Sequence, residues 1–534
     1  VTLPLLFPQS DQWAEPYPTW VDRFRPWQWT AAHQIVEAFN RVDVVVLDAP
    51  TGSGKTLIAE MVARLLEAKR LYVCSDKGLQ DQFTRDYPAS RVLKGRSNYD
   101  TLDGGDEVTA ADCDRDQDFC SWCTVTSRCP YQIAKREART ADCAVLNTSY
   151  LLAECNGPGE FRDRALCVVD EADTLEQQLM GYVTFELTER MAERLGVVDS
   201  VPVKGSHMPT IATWIRDMLR PAVNKARGEY TVKSVTVQNI RTLKALDALG
   251  ERARLVGGML EADASMWVRD NGNDHKPLVL RPIVVDQLAE GALWKHAHRW
   301  LLMSATVVSA DEMMGSLGKA RGEFEVVTCP MTFPVENRRV IVAPVADMTK
   351  KARQWDAAAK AVTNICTRHS SERVLIHSVS YGLTRHIADA LRAGSDRPVF
   401  THDTAAGKSL AVERYRARER AVLISPSLER GIDLHGDNCR VIIICKVPFP
   451  YLGDAQVAAR MHRGREGQMW YTVQAIRSLV QMTGRGVRSA DDWAMSYVLD
   501  VQFVQNVWRK SRHLLPRWWV EALDMNNDVR WLLA

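Results

Sequence analysis

The sequence predicts an α/β protein made of two parallel-sheet domains that carry two insertions, and three observations lead there. Apolar runs recur along the chain, each followed by a polar or glycine-bearing turn and then by helical periodicity, the rhythm of α/β domains. The runs are continuously apolar instead of alternating, as strands buried on both faces are. Two stretches break this rhythm and read as insertions, and 534 residues leave room for several separate cores.

In chain order the runs are DVVVLDAP (43–50), RLYVCS (70–75), ALCVVDEAD (165–173), WLLMSAT (300–306), RVLIHS (373–378), RAVLIS (420–425) and RVIIIC (440–445). The first four suit one sheet, in a unit spanning 1–91, 141–177 and 296–335, and the last three suit a second, in 336–534. The first insertion, 92–140, is polar and poor in apolar residues, so it needs a metal or cluster to hold a fold. The second, 178–295, lacks a strong buried strand and reads as mainly helical, with Ile240, Leu243, Leu246 and Leu249 on one helical face.

Composition bounds the function. With 46% hydrophobic and 25% charged residues, and no apolar run long enough to cross a bilayer, a membrane role is not expected. The opening VTLPLLFPQSDQW has no basic start and is interrupted by Pro4 and Pro8, so the expectation is an intracellular, reducing compartment, cytoplasmic or at the nucleoid. Cysteines there serve as ligands or small buried hydrophobes more often than as disulfides. A net charge of +2 gives no global basic field, so any polyanion must be held by local groups.

The first run leads into DAPTGSGKT and then the helical LIAEMVARLLEAK. A loop between strand and helix presents backbone N–H groups and the positive helix end to phosphate, and glycines allow close approach. Thr51, Gly52, Ser53 and Gly54 form that cradle, Lys55 reaches the β and γ phosphates, and Thr56 places a hydroxyl on Mg²⁺. The usual first glycine is replaced by Ala49. VVDEAD supplies Asp170 for the metal's water shell and Glu171 to polarise the attacking water, since phosphoryl transfer is mostly positioning and charge neutralisation. Late in the chain QMTGRGVRS groups Gln481 with Arg485 and Arg488, two planar cations able to close on a γ phosphate from a second domain.

Four cysteines, Cys113, Cys120, Cys123 and Cys129, follow C-x6-C-x2-C-x5-C. Zinc usually takes two close pairs, whereas an iron–sulfur cluster accepts one close pair with two outliers. Spacing alone leaves the two open.

In this order the segments resemble the superfamily 2 helicases. RPWQ, with Arg25 and Gln28, resembles the adenine-contacting Q element, APTGSGKT motif I, CSDKGLQDQF motif Ia, DEAD motif II, SAT (Ser304 to Thr306) motif III, ERGIDL with Asp433 motif V, and QMTGRGVR motif VI. LKGRSNY, CPYQIAKREARTADCAVLNTSYLL, FPVENR and VPFPYLGD are similar to segments of the iron–sulfur branch, the XPD and DinG-like helicases. The resemblance implies two RecA-like motor domains, a cluster domain in the first insertion, a helical Arch domain in the second, and a [4Fe–4S] cluster on the four cysteines. Three further positions depart from the pattern: Asp100 stands where a cysteine is usual, Asp173 replaces a histidine, and Arg430 precedes Gly431.

The resulting expectation is an ATP-dependent DNA helicase, a monomer moving 5′ to 3′ on single-stranded or forked DNA. Lys94, Arg96, Tyr99, Arg128 and Tyr131 near the cysteines, and Phe449 and Tyr451 in the second motor domain, are candidate strand contacts, because such a motor needs phosphate contacts and stacking surfaces. The alternatives are an ATP-driven nucleoprotein remodeller that unwinds little, and an RNA-directed motor with a zinc module.

Overall fold

The structure, a computed structural model, describes residues 24–102, 108–113, 128–231, 236–270, 277–349, 353–426, 434 and 436–534. Among the described residues ten strands occupy the first part of the chain: β1 (Val44–Asp48), β2 (Arg70–Cys74), β3 (Arg91–Val92), β4 (Cys143–Asn147), β5 (Leu166–Val169), β6 (Phe185–Leu187), β7 (Trp267–Asp270), β8 (Leu278–Pro282), β9 (Arg299–Ser304) and β10 (Phe324–Thr328). Seven of them form one sheet in the order β10-β1-β9-β5-β2-β4-β3, with every pairing parallel. Parallel strands need crossovers, which put helices on both faces, and buried clusters flank the sheet on either side.

Strands β11 (Val340–Ala346), β12 (Val374–His377), β13 (Val399–Phe400), β14 (Val422–Ser425), β15 (Val441–Ile444), β16 (Met495–Asp500) and β17 (Leu523–Asp524) follow. They form the second parallel sheet, ordered β13-β14-β12-β15-β16-β11-β17. It too is covered on both faces. The two RecA-like parallel-sheet domains expected from the sequence are therefore present.

The second insertion is less purely helical than expected. Strands β6, β8 and β7 form an antiparallel sheet of three, packed on helices including Val237–Ala262. That helix buries Thr242, Leu246, Leu249, Ala253, Val256 and Leu260. Ile240 and Leu243 fall to the flank, half-buried, because repeated steps of three residues drift around a helix of 3.6 residues per turn. Within the first insertion a helix, Pro130–Thr140, begins at its N-cap Cys129.

The two insertions touch. Arg241 Nε and Nη2 donate to Asp112 Oδ1 and Oδ2 at 2.7 and 3.1 Å, and Lys244 Nζ donates to the carbonyls of Ala111 and Cys113. The second insertion also reaches the second motor domain, where Arg281 Nη2 donates to Asp454 Oδ2 at 2.6 Å.

Candidate active site

The phosphate-type loop sits at the carboxyl end of β1, pinned by Ala49 N to Ser304 O at 3.0 Å and by Cys329 N to Asp48 O at 2.9 Å. Gly52 and Gly54 adopt φ of +80° and +81°, where a Cβ would come within 2.1 Å of Phe333 Cζ and 2.3 Å of Gln28 Nε2 respectively. Both conformation and space therefore demand glycine. Ala49 is not among the residues with positive φ, which explains why this chain tolerates a side chain where the usual pattern has its first glycine. Lys55 Nζ donates to Ala49 O at 3.3 Å across the loop. Asp48 lies beneath it, and burial pushes its carboxyl up to about 6 against the pull of Lys55.

Arg25 and Gln28 are tied to this loop. Gln28 Nε2 donates to Ser53 O and Arg25 Nη1 to Gly52 O, both at 2.9 Å, while Arg25 N donates to Gln28 Oε1 at 2.9 Å. The Gln28 side chain thus holds the loop's backbone as well as its own helix start.

Asp170 and Glu171 follow β5. Asp170 N donates to Val73 O at 2.9 Å, and its Oδ1 accepts from Glu171 N at 3.0 Å. Glu171 has φ +51°, a left-handed conformation costly for a residue with a side chain, and its Oε2 accepts from Ser75 Oγ at 2.9 Å. Thr56 and Asp170 converge on the hydroxyl of Tyr72, at 3.4 and 3.1 Å. One hydroxyl and one carboxylate, both oxygen donors with a single small group between them, fit a magnesium ion that retains most of its water.

Asp173 links the two domains. Its Oδ1 accepts from Ser304 Oγ at 2.8 Å, and its Oδ2 from Thr306 Oγ1 at 3.1 Å and from Gln481 Nε2 at 3.0 Å. Gln481 Nε2 also reaches Thr306 Oγ1 at 2.8 Å, and Arg477 Nε donates to Thr306 O at 3.2 Å. Beside this lies a second buried set: Arg460 Nη1 stands 2.5 Å from Glu176 Oε1, and Arg477 Nη2 stands 3.6 Å from Glu312 Oε2. The Arg460 guanidinium also lies 4.2 Å from the Trp470 ring centre. Sequence reading missed Arg460 and Arg477, although Arg477 precedes Gln481 by one helical turn on Gly464–Thr483 and so shares its face. Arg485 is half-buried near His377, whose ring burial and the Arg485 charge hold down to about 3. Arg488 is exposed, its backbone N donating to Asp492 Oδ2 at 3.1 Å. Asp433 lies outside the described residues.

The expected strand contacts divide. Tyr451 is 79% exposed and Arg128 is exposed. Tyr131 instead is buried in the core: Arg96 covers its ring at 4.8 Å, Tyr99 meets it at 5.6 Å, and its hydroxyl pairs with Tyr150 at 2.9 Å. The Tyr99 hydroxyl accepts from Lys94 N at 3.0 Å, and Lys94 Nζ pairs with Asp81 at 2.6 Å. Phe449 stacks on Tyr471 at 5.3 Å. Tyr131 is covered on these contacts, whereas Lys94, Arg96, Tyr99 and Phe449 are half-buried beside their partners.

Cys113 and Cys129 are buried and not in disulfides. As soft donors, the thiols at the two ends of this segment are of the kind that an iron–sulfur cluster or zinc takes. Cys120 and Cys123 lie outside the described residues.

Paired parallel sheets with a phosphate loop on one and a glutamine and arginines approaching from the other define a two-domain nucleotide-driven motor. Residues 362–522 match the family model described as a helicase C-terminal domain, and residues 22–126 that of the type III restriction enzyme res subunit. The chain is 24% identical over 582 residues to ATP-dependent DNA helicase YoaA of Escherichia coli (strain K12), covering 88% of this chain and 90% of the relative. It is 22% identical over 591 residues to the Haemophilus influenzae YoaA, covering 90% and 92%. A solved XPD helicase superposes with a TM-score of 0.62 at 17% identity, covering 92% of this chain and 98% of the other. Xpd4 of S. tokodaii superposes with a TM-score of 0.58 at 14% identity, covering 94% and 100%. These similarities, spread over nearly the whole chain, support a superfamily 2 helicase of the XPD/DinG-like kind.

Proposed function

We propose that this protein is an ATP-dependent DNA helicase that moves 5′ to 3′ on single-stranded DNA and splits duplex at a fork. The observation that carries the reading is the Asp173 junction. One carboxylate, three residues beyond Asp170, accepts from Ser304, Thr306 and, across the seam, Gln481. A change at the nucleotide is thereby able to reach the second motor domain through a few hydrogen bonds.

In this reading the loop N–H groups of residues 51–54 and Lys55 hold the phosphates, and Glu171 orients the attacking water. Magnesium, bound through Thr56 and Asp170, supplies charge neutralisation at the phosphates. Arg485 and Arg488 approach from the second domain as it closes. Cys113, Cys120, Cys123 and Cys129 hold a [4Fe–4S] cluster that keeps the first insertion folded, and the Asp112–Arg241 contact closes that insertion on the Arch. Tyr451 and Arg128 contact the strand. The resemblance of the segments that flank the four cysteines to the iron–sulfur branch supports the cluster over zinc.

Strand displacement on substrates with 5′ or 3′ tails tests the reading directly. Unwinding from the 5′ tail alone is expected; unwinding from the 3′ tail alone reverses the polarity, and translocation without displacement favours a remodeller. Iron and sulfide in protein purified without oxygen support the cluster, whereas stoichiometric zinc overturns it.

A further inference from the structure

Tyr72 belongs to none of the motifs, yet it stands at the centre of the metal-binding region. It lies in β2, between β5 and β4 in the sheet, and is 1% exposed. Its ring stacks on Phe83 at 3.8 Å, and Phe83 stacks in turn on Tyr87 at 4.7 Å. The ring is thus fixed on one face, and only its hydroxyl reaches a polar site.

That hydroxyl has two partners from different elements. Thr56 belongs to the first turn of the helix Lys55–Leu65, and Asp170 directly follows β5. An ionised carboxylate only accepts, so the Tyr72 O–H donates to Asp170 Oδ2, and the Thr56 hydroxyl donates to the Tyr72 oxygen. With Oδ1 held by Glu171 N and Oδ2 by Tyr72, both Asp170 oxygens are oriented.

We propose that Tyr72 is a positioning residue of the magnesium–nucleotide site, its hydroxyl tying Thr56 to Asp170 so that both ligand oxygens are in place before the cation arrives. The inference rests on the ATP-site reading above. Outer partners that orient metal ligands are typically worth about ten- to a hundredfold in metal affinity.

Tyr72→Phe deletes one oxygen and keeps the ring stack. Binding of a fluorescent ATP analogue is followed against magnesium concentration, and without magnesium, together with the thermal midpoint. The variant should need about ten- to a hundredfold more magnesium for half-maximal tight binding, with magnesium-free binding unchanged. A magnesium titration identical to wild type overturns the proposal and leaves the hydroxyl a purely structural group. If Tyr72→Phe does not fold, Phe83→Leu replaces it: the hydroxyl stays but its ring loosens, so the magnesium requirement should rise by a smaller factor, and an unchanged requirement overturns the proposal. Wild-type protein that binds no nucleotide with or without magnesium sinks the ATP site itself, and the role of Tyr72 with it.

Discussion

Gln481 Nε2 donates to Asp173 Oδ2 at 3.0 Å, so a side chain of the second motor domain shares the carboxylate that Ser304 and Thr306 hold in the first. A histidine at this position, usual in the branch, has no pair of acceptor oxygens to divide between two partners. Gln481→Ala removes one donor and should leave ATP binding near wild type while cutting DNA-stimulated turnover by about tenfold, the equivalent of one charge-assisted hydrogen bond. Asp173→Ala should be worse, because it takes the shared acceptor from Ser304, Thr306 and Gln481 at once and removes one of the two carboxylates that face buried Arg477, whose Nε stands 3.8 Å from Asp173 Oδ2. Breaking a buried pair typically costs about 3–5 kcal/mol, readable as a lowered denaturation midpoint. Equal DNA stimulation in Gln481→Ala and wild type would remove the coupling role.

The same seam should respond to pH. Glu312, on the first-domain helix Ala310–Gly315, faces Arg477 and Arg460 from the second domain and Glu176 from its own. Burial raises its carboxyl from 4.5 to about 7, with Arg477 pulling down, Glu176 pushing up and Arg460 pulling down. A raised carboxyl keeps a proton in the folded protein that the unfolded chain has lost, so its contribution to stability declines as pH rises from about 4.5 to 7. Glu312→Gln removes that titration. The difference in thermal midpoint between variant and wild type should grow in favour of the variant from pH 5 to 8; a difference independent of pH would exclude Glu312 as the titrating group.

Much of this architecture was readable because buried parallel strands and phosphate loops constrain sequence tightly. The strands passed over have specific reasons. β4 offers only CAVLN before a helix start, and β10 is an edge strand with a half-exposed burial pattern. β11 contains Pro344, which argues against a strand until the register shift between Val342 and Ala346 accommodates it. In the candidate site, Lys55, Asp170 and Glu171 could be named from sequence because the chemistry proposed for them has a fixed spacing from the glycines and the strand ends. Tyr72, Arg460 and Arg477 act through contacts between distant segments, which spacing does not encode. Tyr131 shows the converse: a tyrosine beside cations resembles a base platform, and only packing reveals that its ring is covered.

The phosphate loop makes a sharper demand than its motif. Lys55→Ala should abolish ATP turnover while retaining DNA binding, since among the described residues the hydrogen-bond partner of the lysine is the Ala49 carbonyl of its own loop. Ala49→Gly restores the common pattern and should change turnover by less than about twofold, because Ala49 needs no left-handed backbone. Gly52→Ala places a methyl 2.1 Å from Phe333 Cζ at φ +80°; it should abolish nucleotide binding and lower stability by about 1–3 kcal/mol. Normal nucleotide affinity in Gly52→Ala would mean that this loop is not the phosphate cradle.

Tyr451 and Phe449, two residues apart, should behave oppositely. Tyr451 is 79% exposed, its ring folded over Gly453, where a Cβ would come within 2.2 Å of Tyr451 Cζ. Phe449 is stacked on Tyr471 with an interplanar angle of 15° and packs against the second-sheet core. A base needs an uncovered aromatic face, and each such stack is worth about 1–3 kcal/mol by alanine substitution. Tyr451→Ala should therefore weaken single-stranded DNA binding by about five- to a hundredfold, with little change in thermal midpoint. Phe449→Ala should lower the midpoint and leave DNA affinity, measured below the transition, within about twofold, because a partly buried ring contributes packing and not a stacking surface. Fluorescence anisotropy with a labelled single strand and a thermal scan on each variant measure both quantities, and DNA affinity lost only in Phe449→Ala would exchange the two roles.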